Sequence, residues 1–255
     1  MAVGLKQKLA DGKVTNVLGI GQLCHPKIIE MAADSGLFDA VWLDQEHVGL
    51  TVPQLEEASR AARASGIDCF CRLNATDYAT VMRPLEAGVG GVMASMIRNV
   101  EQARDVVRWS KFHPQGERGV NGTGADGRFG TIPMAEYFRK SNEETIVLIQ
   151  IEHADAVACV EELAALPEVD CLFIGPADLS QSMGIPGDWE NPKLWQAFET
   201  VARAAAANKR AWAILPIGPT FAKRCVDMGC QMLSVSMDVW LVSKGLKAVK
   251  EEYGL

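Results

Sequence analysis

Two acidic residues each follow an apolar, strand-like run. Glu152 ends the run 146–152, and Asp178 lies shortly after the run 170–174. Because the carboxyl ends of parallel strands meet at one edge of an α/β fold, the two carboxylates are expected to lie together there. Two carboxylates with several open coordination positions suit a hard divalent cation such as Mg²⁺ or Mn²⁺. The pattern therefore predicts a metal site formed by Glu152 and Asp178.

Both carboxylates must be weighed against ordinary structural roles. Asp178 could instead cap a helix that begins at Leu179. A carboxylate in an apolar run is costly to bury unless it is paired or binds a metal, so Glu152 needs one or the other.

Three further residues could take part in chemistry. His47 lies at the carboxyl end of the second apolar run, where a histidine could act as a general base near neutral pH or could simply be an exposed loop residue. Arg72 ends the third run, and its guanidinium could bind a carboxylate, stabilise an enolate oxygen or form a salt bridge at the rim. Glu86 ends the third helical segment, and its residue type alone favours a surface helix charge.

Composition limits the class of protein. With 255 residues, 48% of them hydrophobic, the chain is expected to form a single domain over residues 1–255. A net charge of −7 disfavours a nucleic-acid or anionic-membrane partner. No apolar run approaches the roughly 20 residues of a membrane span, and the N-terminus lacks a signal-peptide core, so a cytoplasmic location is expected. The seven cysteines are odd in number and lie mostly in apolar runs, which predicts buried, reduced thiols.

The order of the apolar runs predicts the fold. Eight runs, each followed by a helix-like stretch, are typical of a (β/α)8 barrel, for which roughly 250 residues is usual. An open doubly wound sheet is the alternative, but no G-x-G-x-x-G motif follows the first run. The runs are 17–23, 40–44, 69–72, 91–95, 146–152, 170–174, 211–215 and 231–235.

Three segments fall outside this regular alternation. A glycine-rich interval covers about 113–133, and a second long interval covers 175–191. Long loops of this kind in a compact barrel are usually lids or subunit contacts. The final helix, at about 239–253, has no strand after it, so it either closes its own barrel or packs on a neighbouring subunit.

Several short motifs share an order and spacing that identify a family. The combination of Asp-x-Glu-His at 44–47, Gln-Ile-Glu at 150–152 and Gly-Pro-x-Asp-Leu at 175–179 is specific, whereas each motif alone is weak. Further matches are Phe38-Asp39, Arg72, Leu85-Glu86-Ala87-Gly88, Met96-Ile97, Ala103-Arg104 and Gly116-Glu117-Arg118-Gly119-Val120. Over about residues 17–239 the chain resembles the HpcH/HpaI family of class II, metal-dependent pyruvate aldolases.

This resemblance implies a role for the first set of residues. Glu152 and Asp178 would hold a divalent cation, Mg²⁺, Mn²⁺ or Co²⁺, to which pyruvate binds through a carboxylate oxygen and its keto oxygen. The cation would act as a Lewis acid on the ketone, and Arg72 would stabilise the enolate that forms. His47 would be the general base, acting with a water molecule on the metal.

The resemblance also implies supporting roles. Glu86 stands where relatives have aspartate, and it would raise the basicity of His47. Asp44 would orient a water molecule or His47.

The remaining residues of the implied site would bind the substrate. Gln150 and the backbone N–H groups of Ala177 and Asp178 would hold the pyruvate carboxylate. Leu215 would shape the aldehyde pocket. Gly21 stands where many relatives have a bulky aromatic residue, which could enlarge the donor pocket, and Asp126-Gly127 replaces an Arg-Ala pair of relatives.

The implied protein is a (β/α)8 barrel of the phosphoenolpyruvate/pyruvate superfamily type. It would form a homo-hexamer, a dimer of trimers, with the C-terminal helix exchanged between subunits. Its reaction would be reversible cleavage of a 4-hydroxy-2-oxo acid into pyruvate, or a substituted pyruvate such as hydroxypyruvate, and an aldehyde. No lysine lies in the eight apolar runs, which favours metal chemistry over a Schiff base.

Two rival functions remain open. One is an acyl-CoA lyase similar to the citrate lyase β subunit, which would use the same carboxylates but should also have a basic patch for nucleotide phosphates. The other is a non-catalytic binding barrel, which fold alone does not exclude.

Overall fold

Eight parallel strands form a closed barrel in the computed structural model, which describes residues 4–255. Each strand pairs with the next along the chain, and β8 pairs with β1 to close the ring. The expected barrel is confirmed, and the open-sheet alternative is wrong because the sheet has no unpaired edge. The strands are β1 (Thr15–Ile20), β2 (Ala40–Asp44), β3 (Asp68–Asn74), β4 (Gly91–Ser95), β5 (Ile146–Ile151), β6 (Cys171–Ile174), β7 (Ala211–Ile214) and β8 (Met232–Met237).

Helices surround the barrel and return the chain from the carboxyl end of one strand to the start of the next. They are α1 (Leu5–Ala10), α2 (Pro26–Asp34), α3 (Val52–Ser65), α4 (Tyr78–Glu86), α5 (Val100–Ser110), α6 (Met134–Glu144), α7 (Ala154–Ala158), α8 (Val160–Ala164), α9 (Pro176–Ser182), α10 (Pro192–Ala207), α11 (Pro219–Asp227) and α12 (Asp238–Tyr253). A short 3₁₀ helix, Arg128–Gly130, lies in the glycine-rich interval.

Two apolar layers hold this architecture together. Helix α10 buries Leu194, Phe198 and Val201, spaced three or four residues apart, against the outside of the barrel. Large side chains such as Trp42 and Phe70 fill the barrel interior. The barrel is therefore a packed core rather than a pore, as is usual for this fold.

Helix α1 closes the amino-terminal end of the barrel. Its Leu5 and Leu9 side chains pack against the interior layer, and the Leu5 N–H donates to Asp68 at the start of β3. Lys8 Nζ lies 2.7 Å from Asp39 Oδ1, just before β2. Helix α1 thus covers this end of the barrel, and ligands of this fold bind at the opposite end, where the strands have their carboxyl ends.

The first strand differs from its predicted range. The run 17–23 predicted a strand that reaches Leu23, whereas β1 ends at Ile20. The reason is that the N–H groups of Gly21 and Leu23 donate to the side chain of Asp238 and not to a neighbouring strand.

The cysteines are free thiols, as predicted. No disulfide is present in residues 4–255, which include all seven cysteines, and only Cys24 and Cys159 are partly exposed. Burial raises the pKa of Cys69 to about 12, so this thiol stays protonated at neutral pH. No helix within the described range is long and apolar enough to span a membrane.

The C-terminal helix α12 buries little of its surface against the barrel core. Asp238 is its one buried residue, and no strand follows it in the chain. Its exposed apolar residues form what we call the α12 face: Trp240, Leu241, Val242, Leu246, Val249 and Tyr253. Contiguous exposed apolar residues of this kind are typical of interaction sites.

Candidate active site

The arginine predicted at the end of the third strand is fixed by a buried aspartate. Arg72 Nε donates to Asp44 Oδ1 at 3.1 Å, and Arg72 Nη2 donates to Asp44 Oδ2 at 2.7 Å. The two residues are brought together because they occupy paired positions in β2 and β3. The guanidinium also lies over the Trp42 ring, 4.8 Å from its centroid. A guanidinium held in this way keeps one orientation, because the bidentate contact and the ring both constrain it.

The loop after β2 carries His47 and an acidic residue beside it. The backbone N–H groups of Glu46 and His47 both donate to Asp44 Oδ1, at 3.1 and 3.2 Å. The His47 side chain is 64% exposed, and its Nε2 lies 3.8 Å from Glu46 Oε2. Asp44 thus positions the His47 backbone and Arg72 at the same time.

The Glu46 side chain points inward, and one of its two carboxylate oxygens has no hydrogen-bond donor within residues 4–255. Its Oε2 lies 3.4 Å from Arg72 Nε, yet it accepts no hydrogen bond from any donor in residues 4–255. The reason is that the Nε hydrogen is directed at Asp44. A buried carboxylate oxygen without a donor is costly, so it is a group that a substrate or a water molecule would satisfy.

Glu152, at the end of β5, is the most buried carboxylate that the sequence singled out for metal binding. It is 2% exposed, its Oε1 accepts the Met96 N–H at 2.6 Å, and its Oε2 accepts a hydrogen bond from Gln150 Nε2. Burial raises the pKa of Glu152 to about 7, and the negative charges of Glu46 and Asp178 add to this rise. The Met96 N–H and the positive charge of Arg72 act in the opposite direction and lower the pKa. Because Glu152 is buried, an isolated negative charge is unfavourable in this pocket.

The surroundings of Glu152 fit a divalent cation. A Cβ at Gly175 would lie 2.6 Å from Glu152 Oε2, so the glycine is required for the carboxylate to occupy its place. Gln150 Oε1 is buried without a donor in the described part of the chain. A cation beside Glu152 would remove the cost of ionising it, and carboxylate and amide oxygens are the ligands such ions prefer.

The other proposed metal ligand, Asp178, lies in the first turn of α9. This helix begins at Pro176 with Gly175 as its N-cap, so the alternative role of Asp178 as a cap before Leu179 is wrong. Asp178 is half-buried and close enough to Glu152 to raise its pKa. In residues 4–255 no group of three or more His, Cys, Asp or Glu side chains is arranged to hold a metal ion. A cation here would therefore depend on substrate or water oxygens for most of its ligands.

Two substrate-binding candidates lie at the same rim. Ala177 is in the first turn of α9, where backbone N–H groups have no acceptor within the helix. Leu215 follows β7 directly and packs against the interior layer of the barrel.

Glu86 is the one predicted site residue that the single chain does not bring to this rim. It ends α4, and the backbone carbonyl of Glu86 lies 3.0 Å from the Cβ position of Gly124 in the glycine-rich interval. Burial raises the pKa of Tyr137, and the charge of Glu86 acts in the same direction. No ion pair joins Glu86 to His47 within residues 4–255. Because α4 runs away from the rim, Glu86 lies roughly 12 Å along the helix axis from the first residue of α4 at the rim.

Comparison with known proteins identifies the family. Residues 22–244 match the family described as HpcH/HpaI aldolase/citrate lyase. The chain belongs to this family. The match covers most of the barrel and all of the predicted site residues, from Asp44 to Leu215.

Individual HpcH/HpaI relatives extend over nearly the whole chain. A hydroxypyruvate/pyruvate aldolase of Delftia acidovorans is 34% identical over 88% of this chain and 82% of its own. A pyruvate aldolase of Rhizobium etli is 32% identical over 97% of this chain and 96% of its own. The crystal structure of an HpcH/HpaI aldolase/citrate lyase family protein from Burkholderia cenocepacia superimposes with a TM-score of 0.90 at 31% identity, covering 98% of each chain. These matches confirm the family, the barrel and the enzyme class, a carbon–carbon lyase.

Four residues of this HpcH/HpaI site were missed as site residues in the sequence. Trp42 lies under Arg72, Glu46 lies between Arg72 and His47, and Gly175 makes room for Glu152. Met96 has a left-handed backbone with a φ of 56°, which directs its N–H at Glu152. A non-glycine residue held in this conformation costs roughly 1–3 kcal/mol, and such strain is concentrated at functional sites. Glu46, Met96 and Gly175 each left a signal, since each lies inside one of the matched motifs, whereas Trp42 lies in none of them.

Proposed function

We propose that this protein catalyses the reversible aldol cleavage of 4-hydroxy-2-oxo acids to pyruvate, or hydroxypyruvate, and an aldehyde. The observation that carries the proposal is the fixed Arg72 guanidinium, which lies close enough to Glu152 to lower the pKa of that carboxyl. The site thus combines an anion-stabilising group with a buried carboxylate at the open end of the barrel. Aldolase is also the name of the relatives from Delftia acidovorans and Rhizobium etli.

Arg72 would stabilise the oxyanion of the enolate. Asp44 uses the Nε hydrogen and one Nη2 hydrogen, so three of the five N–H donors of the guanidinium remain for a substrate. Because Asp44 and Trp42 already fix the guanidinium, little reorganisation is needed as negative charge develops on the keto oxygen. Gln150 and the N–H groups of Ala177 and Asp178 would hold the substrate carboxylate.

Transfer of the substrate's 4-hydroxyl proton is assigned to His47. In the cleavage direction His47 would accept the proton of the 4-hydroxyl group, the C3–C4 bond would break, and its electron pair would pass to the enolate. Return of this proton from His47 to C3, directly or through water, would then give the pyruvate methyl group and restore the neutral histidine. The exposed position of His47 suits a base that exchanges protons with solvent.

A divalent cation, Mg²⁺, Mn²⁺ or Co²⁺, held by Glu152 and Asp178 would supply Lewis-acid polarisation of the keto group. The protein's own part is to keep Glu152 in place through Met96, Gln150 and the small Gly175. Gly21 has no side chain beside Asp44 and Val48, and the lack of a bulky residue there would help to admit the extra hydroxyl of hydroxypyruvate. A cytoplasmic location stays a prediction.

The reaction is tested by aldol addition. Pyruvate and hydroxypyruvate are each incubated with a panel of aldehydes, with Mg²⁺ or with EDTA, and the product is quantified by chromatography. We expect metal-dependent formation of 4-hydroxy-2-oxo acids. Cleavage of an acyl-CoA thioester without aldol addition would favour the acyl-CoA lyase. Binding of pyruvate with no turnover of any pair would favour the non-catalytic barrel.

We also propose that the protein acts as a homo-hexamer, a dimer of trimers, with α12 placed against a neighbouring subunit. The α12 face supports this, because Leu246 is 68% exposed and Tyr253 is 70% exposed in the single chain. A neighbouring subunit is also required if Glu86 is to reach His47, because the two lie at opposite ends of the barrel in one chain.

Mixed assemblies test this role of Glu86. Arg72→Ala and Glu86→Ala are each expected to be strongly impaired, and coexpression of the two should restore part of the activity. The reason is that some sites in a mixed assembly would combine an intact Arg72 with a partner's intact Glu86. No recovery on mixing would contradict a contribution across subunits, and near-normal activity of Glu86→Ala would contradict its role altogether.

A further inference from the structure

The turn that follows β1 is held by one buried carboxylate from the other end of the chain. Asp238 Oδ2 accepts the N–H groups of Gly21 at 2.8 Å and Leu23 at 2.7 Å, while Oδ1 accepts the N–H of Val239 at 2.7 Å. Asp238 is 1% exposed, and no Lys, Arg or His side chain of residues 4–255 forms an ion pair with it. Three backbone donors and the amino-terminal end of α12 compensate its charge.

This turn lies directly against the loop after β2, which carries Glu46, His47 and Val48. The Cβ position of Gly21 is 3.1 Å from Val48 Cγ2 and 3.8 Å from Asp44 Cβ. Val48 follows His47 in the chain, and Asp44 binds both Arg72 and the His47 backbone. The position of Gly21 therefore sets how closely the β1–α2 turn packs over the residues that the proposed reaction uses.

We propose that Asp238 is a positioning residue for the substrate pocket, fixing the turn of residues 21–23 against Asp44 and Val48. This inference rests on the proposed aldolase function. Asp238 acts through the turn and does not touch the substrate. Arg72 remains held by its own bidentate contact with Asp44. Loss of Asp238 therefore changes the mouth of the pocket more than it changes the position of Arg72.

Kinetics of Asp238 variants test the proposal. Asp238→Ala removes all three acceptor contacts, and Asp238→Asn retains one oxygen. In pyruvate methyl-proton exchange with Mg²⁺, the KM for pyruvate is expected to rise roughly ten- to hundredfold in Asp238→Ala, and less in Asp238→Asn. The kcat is expected to stay within about threefold of wild type, because the looser pocket weakens binding of the substrate and of the transition state alike, while Arg72 keeps its contact with Asp44.

Asp39, which directly precedes β2, provides a matched control because its side chain binds the opposite end of β1. Its Oδ2 accepts the Asn16 N–H at 2.8 Å, near the start of β1 and far from the rim. Asp39→Asn should lower the thermal unfolding temperature without changing the KM for pyruvate. An equal rise in KM in Asp39→Asn would overturn the proposal, since general loosening of β1 would then explain both. An unchanged KM in a folded Asp238→Ala protein would also overturn it.

Amide hydrogen exchange tests the same proposal without catalysis. The N–H groups of Gly21 and Leu23 are expected to be protected in the wild-type protein and to exchange at least about tenfold faster in Asp238→Asn. Unprotected amides in the wild type, or no change in the variant, would overturn the positioning role even if Asp238→Ala does not fold. If the wild type shows no pyruvate exchange, the proposed function fails, and the amide result still decides whether Asp238 fixes the turn.

Discussion

Replacing Arg72 with alanine is expected to slow exchange of the pyruvate methyl protons by about 10³-fold while the barrel stays folded. In the proposed reaction Arg72 stabilises the oxyanion of the enolate, and its orientation is fixed by Asp44 and the Trp42 ring. Its removal leaves the enolate charge with one stabilising group fewer in a site that is poorly exposed to water. The exchange rate is measured by NMR in D₂O with saturating Mg²⁺, and folding by circular dichroism.

The same substitution should also lower stability, for a separate reason. Asp44 loses the donor to its Oδ2 and becomes a buried carboxylate with only two backbone N–H partners, both on Oδ1. We expect a loss of about 2 kcal/mol in the free energy of unfolding. Adding Asp44→Asn to Arg72→Ala removes the unpaired charge, and this double variant should regain stability but not exchange. Exchange within about tenfold of wild type in folded Arg72→Ala would contradict the role given to this residue.

Replacing Glu152 with glutamine is expected to abolish activity and to stabilise the metal-free protein at pH 8. The pKa of Glu152 rises from its ordinary value of 4.5 to about 7 through burial, so the folded state binds a proton more tightly than the unfolded state. Stability therefore falls as the pH rises from about 4.5 to about 7, and the full cost of about 3 kcal/mol is present above pH 7. Glutamine is neutral throughout and does not carry this cost.

The local hydrogen bonds can accommodate this glutamine. Its amide oxygen can accept the Met96 N–H, and the Gln150 amide can turn so that its unpaired Oε1 accepts the new N–H₂ group. Urea unfolding in EDTA should thus show a gain in Glu152→Gln at pH 8 that is absent at pH 4.5. Adding Mg²⁺ at pH 8 should stabilise the wild type and leave the variant unchanged, because only the wild type binds the ion.

A surface carboxylate serves as the control. Glu56 is exposed on α3, and Glu56→Gln removes a carboxylate with the same chemical change at the surface, so it should change stability little. If the stability difference between Glu152→Gln and wild type is the same at pH 4.5 and pH 8, burial does not shift the titration of Glu152. If Mg²⁺ stabilises both proteins equally, Glu152 is not part of a cation site.

The positions at strand ends could be predicted because they depend on local patterns. Continuous apolar runs indicate buried parallel strands, and the first polar residue after a run must lie at the rim. This placed Asp44, Arg72 and Glu152 at one end of the barrel. The orientation of the α4 helix, whose last residue is Glu86, could have been used in the same way, because a helix that leaves the rim ends far from it.

Contacts between distant parts of the chain could not be predicted from one sequence. Asp238 and Gly21 are separated by 217 positions, and nothing in either segment indicates the other. The strain at Met96 and the space needed at Gly175 depend on where Glu152 lies in three dimensions. Such features follow from packing and not from the periodicity of the sequence.

The most direct measurement is deuterium exchange of the pyruvate methyl group by the wild-type protein without an aldehyde. Exchange is expected with Mg²⁺, Mn²⁺ or Co²⁺, is expected to be lost on removal of the metal with EDTA, and should return when the cation is restored. This result would show that a cation-dependent enolate forms before any acceptor is bound. Exchange that continues unchanged in EDTA, or no exchange with any of these cations, would contradict the account.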